Sequence, residues 1–160
     1  MTIQPGDRIP DATLQYIDGG LQNISTGELF AGRKRVLFAV PGAFTPTCSE
    51  RHLPGFVEHF DAFRAKGVEV ACMAVNDPFV MQAWGEHQQV PDGLAMLADG
   101  NAGFTRALGL QMDASGFGMG LRRKRFALYA EDGVVREVFV EAPGEFRVSS
   151  AEHVLANLPD

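Results

Sequence analysis

The sequence predicts an α/β fold, a central mixed β-sheet flanked by helices, and three observations carry that prediction. Near-continuous apolar runs of strand length occur at 35–40 (RVLFAV) and 68–75 (VEVACMAV), the pattern of strands covered on both faces. Around them lie segments whose apolar residues recur at spacings of three and four, the helical period. Two later runs, RFALYA at 125–130 and VVREVFVE at 134–141, are separated only by Glu131-Asp132-Gly133, a turn signal for an antiparallel hairpin. Strand-like and helix-like segments in alternation argue for a largely parallel sheet, to which the hairpin adds an antiparallel edge.

Each element follows from its local sequence. Between the first two strands, Leu53, Phe56, Val57, Phe60 and Phe63 form one apolar stripe on a helix from Pro46 to Lys66. Gly67 supplies its stop, and Pro54, which lacks an N–H, predicts a kink near Arg51–Leu53. The next helix opens with Asp77 as N-cap and Pro78 at its first position. LAMLAD (94–99) is a shorter strand, NAGFTRALGL (101–110) a short helix, and Ser149 with Glu152 has capping-box spacing for a last helix. The glycines of GFGMG (116–120) read as a tight turn before strand 125–130 rather than a phosphate loop, since no strand precedes them. The order β-α-β-α-β-α-β-β-α, after an N-terminal segment, fits a thioredoxin-like sheet. Residues 1–160 read as one domain of that kind, a fold that hosts many functions.

Composition narrows the classes. Of 160 residues, 46% are hydrophobic and 21% charged, which excludes a disordered chain. A net charge of −6 gives no general attraction for nucleic acid or an anionic membrane. The basic run RRKR (122–125) is short and reads as a solvated strand entry. The start, MTIQPGDRIPD, has neither the basic residues nor the apolar core of a signal peptide, and no apolar run reaches spanning length. A cytoplasmic protein is expected. Two cysteines make no disulfide framework, no CxxC occurs, and no Cys/His cluster has zinc-ligand spacing, so neither a metal nor a cofactor is expected.

Chemistry concentrates at Cys48. It follows strand 35–40 through the loop PGAFTPT and falls in the first turn of the next helix. Sites in open α/β sheets assemble at the carboxyl ends of strands. A helix N-terminus offers unpaired N–H groups and a positive dipole end, which favour the thiolate, the nucleophilic form. Thr45, three residues earlier, places a hydroxyl within reach of the sulfur or of a substrate oxygen, while Pro41 and Pro46 stiffen and cover the loop. Burial alone opposes ionisation, so a cation is needed, and arginine, always charged and forked, fits best. Spacing does not choose among the arginines.

The segment VPGAFTPTCSERHLPGF closely resembles the active-site segment of peroxiredoxins of the type II, or fifth, subfamily. Pro41, Thr45 and Cys48 match its PxxxTxxC core. The resemblance continues through VACMAVNDPFVMQAWG (70–85), LADGNAGFTRALGL (97–110) and GFGMGLRRKRFALYAEDGVV (116–135), and so covers nearly the whole chain. It implies a thiol peroxidase that reduces hydrogen peroxide and organic hydroperoxides through a Cys48 sulfenic acid, in antioxidant defence. It also implies that Arg125, directly before Phe126, is the active-site arginine. Pro41, Gly42, Thr45, Thr47, Cys48 and Arg125 would then surround the substrate. Loops around Phe44, Phe79 and Trp84, whose plain reading is core packing, would line a homodimer interface.

Cys72 alternates with Val68, Val70 and Ala74 on one strand face and reads as a buried, inert thiol. The resolving cysteine of atypical two-cysteine members has no counterpart in VEAPGEFRVSSAEH (140–153). An external reductant, glutathione with or without glutaredoxin, or thioredoxin, is therefore expected. Other readings are weaker. Cys48 and His52 have the i,i+4 spacing of a hydrolase dyad, but no third orienting group accompanies them, and His52, His59, His87 and His153 read as surface or packing residues. A disulfide oxidoreductase needs CxxC, and a holdase would not need Cys48 at all.

Overall fold

The computed structural model describes residues 2–159. Its strands are β1 (Thr13–Ile17), β2 (Leu21–Ser25), β3 (Lys34–Val40), β4 (Val68–Ala74), β5 (Ala95–Ala98), β6 (Gln111–Asp113), β7 (Leu121–Arg123), β8 (Phe126–Glu131) and β9 (Val134–Val140). Seven form one sheet in the order β2-β1-β5-β4-β3-β8-β9, and β6 and β7 form a separate ribbon. The helices are α1 (Thr26–Phe30), α2 (Leu53–Glu58), α3 (Phe60–Ala65), α4 (Pro78–His87), α5 (Gly103–Leu108) and α6 (Ala151–Ala156), with a π-helical segment at Cys48–His52.

The apolar runs occupy the centre, as their double-sided hydrophobicity requires. Val36, Phe38 and Val40 of β3 and Val68, Val70, Cys72 and Ala74 of β4 point to one core, which α2, α3, α4 and α6 cover. Leu37 and Ala39 of β3 and Ala71 and Met73 of β4 point to the other, beneath α1 and α5. Phe38 lies beside Cys72 in the parallel β3–β4 register and beside Ala127 in the antiparallel β3–β8 register. The hairpin at Glu131–Val134 forms as expected, with Asp132 and Gly133 at φ 50 and 80, and the main sheet is mixed.

Several expectations need correction. Only β3, β4 and β5 are mutually parallel, because the N-terminal segment contributes an antiparallel hairpin, β1–β2, at the far edge. Its strands alternate weakly, and β2 buries no residue fully, so little hydrophobic signal marks it. The helix at 46–66 is interrupted twice. Leu53 N–H bonds back to the Cys48 carbonyl, the i−5 pattern of a π-turn, just before Pro54, and His59 (φ −98, ψ 10) separates α2 from α3. Ser150, not Ser149, caps α6 by accepting from His153 N–H, while Asp77 caps α4 as expected. The GFGMG turn joins β6 to β7 rather than leading straight into β8.

RRKR is not a solvated strand entry. Lys124 alone is exposed. Arg122 donates to the carbonyls of Val75 and Met119. Arg123 is fully buried, with Nη2 on Asp99 Oδ2 at 2.9 Å and on Thr105 Oγ1. Burial lowers the Arg123 pKa to about 10, with Asp99 opposing the shift, so it remains a cation at neutral pH. The same carboxylate accepts from the Phe104 and Thr105 N–H groups and so caps α5. Asp99→Ala thus strands a buried cation and uncaps a helix. A loss of about 3–5 kcal/mol is expected in urea unfolding, the cost typical of removing one partner of a buried pair.

Candidate active site

The site forms where β3 ends and the loop from Pro41 to Thr47 turns into the helix. Ala43 N–H donates to Asn76 Oδ1 at 2.9 Å, which ties this loop to the residues after β4. Phe44 adopts a left-handed conformation (φ 60), an uncommon choice for a non-glycine residue that turns the chain sharply. Gly42 is there for lack of room: a Cβ would lie 3.0 Å from Met119 Cε and 3.2 Å from Thr45 Cγ2. Thr45 Oγ1 donates to the Gly42 carbonyl at 2.7 Å, which spends its proton inside the loop and leaves its lone pairs as acceptors. Pro41 is half-buried, whereas Pro46 is exposed and serves to start the helix rather than to cover the sulfur.

Cys48 opens the π-helical segment and is fully buried. Arg125, immediately before β8, reaches it from a neighbouring strand, with Nη2 donating to Sγ at 3.1 Å. The thiol read from the sequence and the arginine implied by the resemblance are brought together by the fold across 77 residues of chain. No hydrogen bond joins Thr45 to the sulfur. The Thr47 side chain makes no capping bond. Cys72 is buried in the same core, and burial, with Cys48 nearby, pushes its thiol pKa well up, as an inert packing residue requires.

Trp84 is buried, but Phe44 and Phe79, also read as core residues, are 52% and 63% exposed. α4 and its C-cap Gln88 nevertheless hold the turn after Cys48: Trp84 Nε1 donates to Ser49 Oγ at 3.0 Å and Gln88 Nε2 to the Ser49 carbonyl at 3.1 Å.

Of the surface and packing readings of His52, the fold bears out packing. It is fully buried among Phe38, Phe56 and Phe146. Its Nε2 lies 2.9 Å from the Ser149 carbonyl, which only accepts, so Nε2 carries the proton. Its Nδ1 then accepts from Arg125 Nη1 at 2.8 Å. Both ring nitrogens are therefore engaged, and neither is left to take a proton from Cys48, which removes the hydrolase dyad. Burial first, and the Arg125 charge second, lower the His52 pKa to about 3.

A family model described as Redoxin matches residues 4–155. Peroxiredoxin-2E-2, chloroplastic, of Oryza sativa subsp. japonica is 53% identical over 98% of this chain and 73% of its own. The chain belongs to the peroxiredoxins. Peroxiredoxin-2B of Arabidopsis thaliana is 46% identical across 98% of both chains. The structure of reduced Prx3 of Vibrio vulnificus in complex with hydrogen peroxide superposes with a TM-score of 0.93 at 54% identity, over 97% of this chain and 98% of that one. This peroxiredoxin is a thiol-dependent peroxidase with a thioredoxin-like fold, as its active-site segment led us to expect.

Sequence reasoning missed His52, Ser149 and Glu141, which complete the surroundings of Arg125. His52 lay within the quoted HLPGF, but its partners are brought to it only by the fold.

Because native His52 resists protonation, the unfolded chain binds the extra proton between pH 6.5 and about 3. Its contribution is complete above pH 6.5 and is lost as the pH falls. In chemical unfolding at stepped pH, this peroxiredoxin should lose up to about 1.4 kcal/mol more per pH unit than His52→Asn as the pH falls from 6 to 4, the value for one proton.

Proposed function

We propose that Cys48 is the peroxidatic nucleophile and that Arg125 and Thr45 hold the peroxide against it. The observation that carries this reading is the contact of Arg125 Nη2 with the fully buried Cys48 Sγ at 3.1 Å. A guanidinium there stabilises charge as the O–O bond breaks. The Thr45 lone pairs, free of its proton, accept the hydroperoxide O–H, and the first-turn N–H groups of Thr47 and Cys48 are donors toward the same substrate. Pro41 and Gly42 shape the loop beneath. The thiolate attacks the terminal oxygen, an S–O bond replaces the O–O bond, and the departing hydroxide or alkoxide takes a proton from water. Cys48 is left as a sulfenic acid.

An external thiol then condenses with the sulfenic acid, releasing water and forming a mixed disulfide, and a second thiol frees Cys48. Glutathione, with or without glutaredoxin, or thioredoxin supplies these thiols, since Cys72 is buried within β4. The reaction suits a reducing compartment such as the cytoplasm. Cys48→Ser should abolish peroxide consumption, while Cys72→Ala, which avoids burying a hydroxyl, should keep more than half of it. Mass spectrometry of the peroxide-treated protein should show Cys48 sulfenic acid, or its mixed disulfide when glutathione is present. A Cys48–Cys72 disulfide as the main turnover species would overturn the external-thiol reading.

Two copies are proposed to pair through the exposed rings of Phe44 and Phe79. Single aromatics of this size are costly to leave in water, and Phe44 sits on the catalytic loop itself. Phe79→Glu should shift the sedimentation coefficient from dimer to monomer at micromolar concentration.

A further inference from the structure

Glu141 follows β9 directly and is buried, yet among the described residues it forms no ion pair; instead, its carboxylate collects the backbone. Oε2 accepts from the N–H groups of Arg147, Val148 and Ser149 at 2.9, 2.9 and 2.8 Å and from Ser149 Oγ at 2.6 Å. Oε1 accepts a second time from Arg147 N–H at 2.9 Å. Burial alone would raise the Glu141 pKa, but these donors bring it below the usual carboxylate range and keep the group ionised. The effect is to fix a loop whose Ser149 carbonyl is the group that meets His52 Nε2.

The hydrogen bonds close on themselves. The Glu141 backbone N–H donates to the Arg125 carbonyl at 3.0 Å. Its side chain holds Ser149, whose carbonyl accepts from His52, whose Nδ1 accepts from the Arg125 side chain. Arg125 is thus gripped at its main chain and at its fork by one ring that passes through Glu141. From these contacts we infer that Glu141 is a positioning residue for the peroxidase reaction, aiming the Arg125 guanidinium at Cys48 by fixing the ring and tautomer of His52 through Ser149.

Chemistry explains the indirect route. A carboxylate bonded directly to Arg125 would orient it but cancel much of the charge meant for sulfur and peroxide. A neutral imidazole orients the fork and leaves that charge available. It works only as the Nε2–H tautomer, since an N–H at Nδ1 would oppose the Arg125 N–H. The negative group that enforces the tautomer stands two hydrogen bonds away. Arg51, stacked on Phe146 at 4.7 Å, is the other charged group flanking the imidazole's aromatic cage.

The inference rests on the peroxidase reading, and two readouts separate them. With the full chain, stopped-flow kinetics should show kcat/KM for hydrogen peroxide falling about 100-fold in Glu141→Ala and about tenfold in Glu141→Gln, which keeps one acceptor oxygen. The KM for the reducing thiol should not move. In the double variant with His52→Asn, which retains an acceptor near the Nδ1 position, the Glu141→Ala loss should largely vanish, because Glu141 acts through His52. Nitrogen-15 NMR, which needs no turnover, should find His52 protonated at Nε2 alone in the wild type and a mixture of tautomers in Glu141→Gln. Wild-type kinetics in a folded Glu141→Ala, losses that add fully to those of His52→Asn, or a wild-type His52 protonated at Nδ1 would each overturn the inference. If Glu141→Ala fails to fold, Glu141→Gln and the wild-type spectrum decide.

Discussion

Arg125 divides its fork between a sulfur and an imidazole, and this division is the constraint on which the rest of the site depends. One terminal nitrogen meets Cys48 Sγ at 3.1 Å, the other meets His52 Nδ1 at 2.8 Å. Because a guanidinium is planar, fixing one nitrogen fixes the direction of the other. An arginine free to rotate would still be a cation in the neighbourhood, but catalysis of O–O cleavage needs donors aimed before the charge develops. The helix, the loop and the aromatic cage can each be understood as serving that aim. Cys48 and His52 are presented from one π-helical segment, Phe38 and Phe56 stack at 4.0 Å beneath the imidazole, and α4 clamps Ser49 from the side.

The sheet supplies the rigidity. β3 carries the loop that leads to the thiol, β8 begins one residue after the arginine, and the two strands pair side by side in antiparallel register. Strand pairing thus brings the ends of β3 and β8 together, and the 41–47 loop and the ring through Glu141 set the final distance between thiol and guanidinium. Asp99 does similar work on the opposite core, joining the end of β5, the start of α5 and the buried Arg123 by one carboxylate. The two buried acids, Asp99 and Glu141, both gather backbone N–H groups, Asp99 alongside the Arg123 and Thr105 side chains, so each converts a charge into loop geometry.

Much of this was legible in the sequence, and what was missed has a common physical origin. Apolar runs located the central strands because burial on both faces leaves no room for polar residues. PxxxTxxC located the thiol because the loop and helix start are local. The hairpin β1–β2 escaped because its strands lie at the sheet edge and remain partly wet, so hydrophobic patterning is faint. Arg122 and Arg123 looked like part of a solvated basic run, since nothing in a single sequence reveals that Val75, Met119 and Asp99 wait on the inside. His52 looked like one histidine among four, and its role is written 97 residues away, in the carbonyl of Ser149. Ser149 itself looked like a helix cap; the fold gives that task to Ser150 and turns Ser149 toward Glu141.

The ring that passes through Glu141 has a consequence for the chain as it is made. Cys48 emerges early, but the groups that complete its surroundings do not exist in space until β9 has paired with β8 and residues 147–149 have wrapped onto the carboxylate. Until those contacts form, the Cys48 thiol has no Arg125 guanidinium held against it by His52. On the proposed roles of Cys48 and Arg125, sensitivity to peroxide therefore depends on residues 141–149 as much as on the loop that carries the thiol.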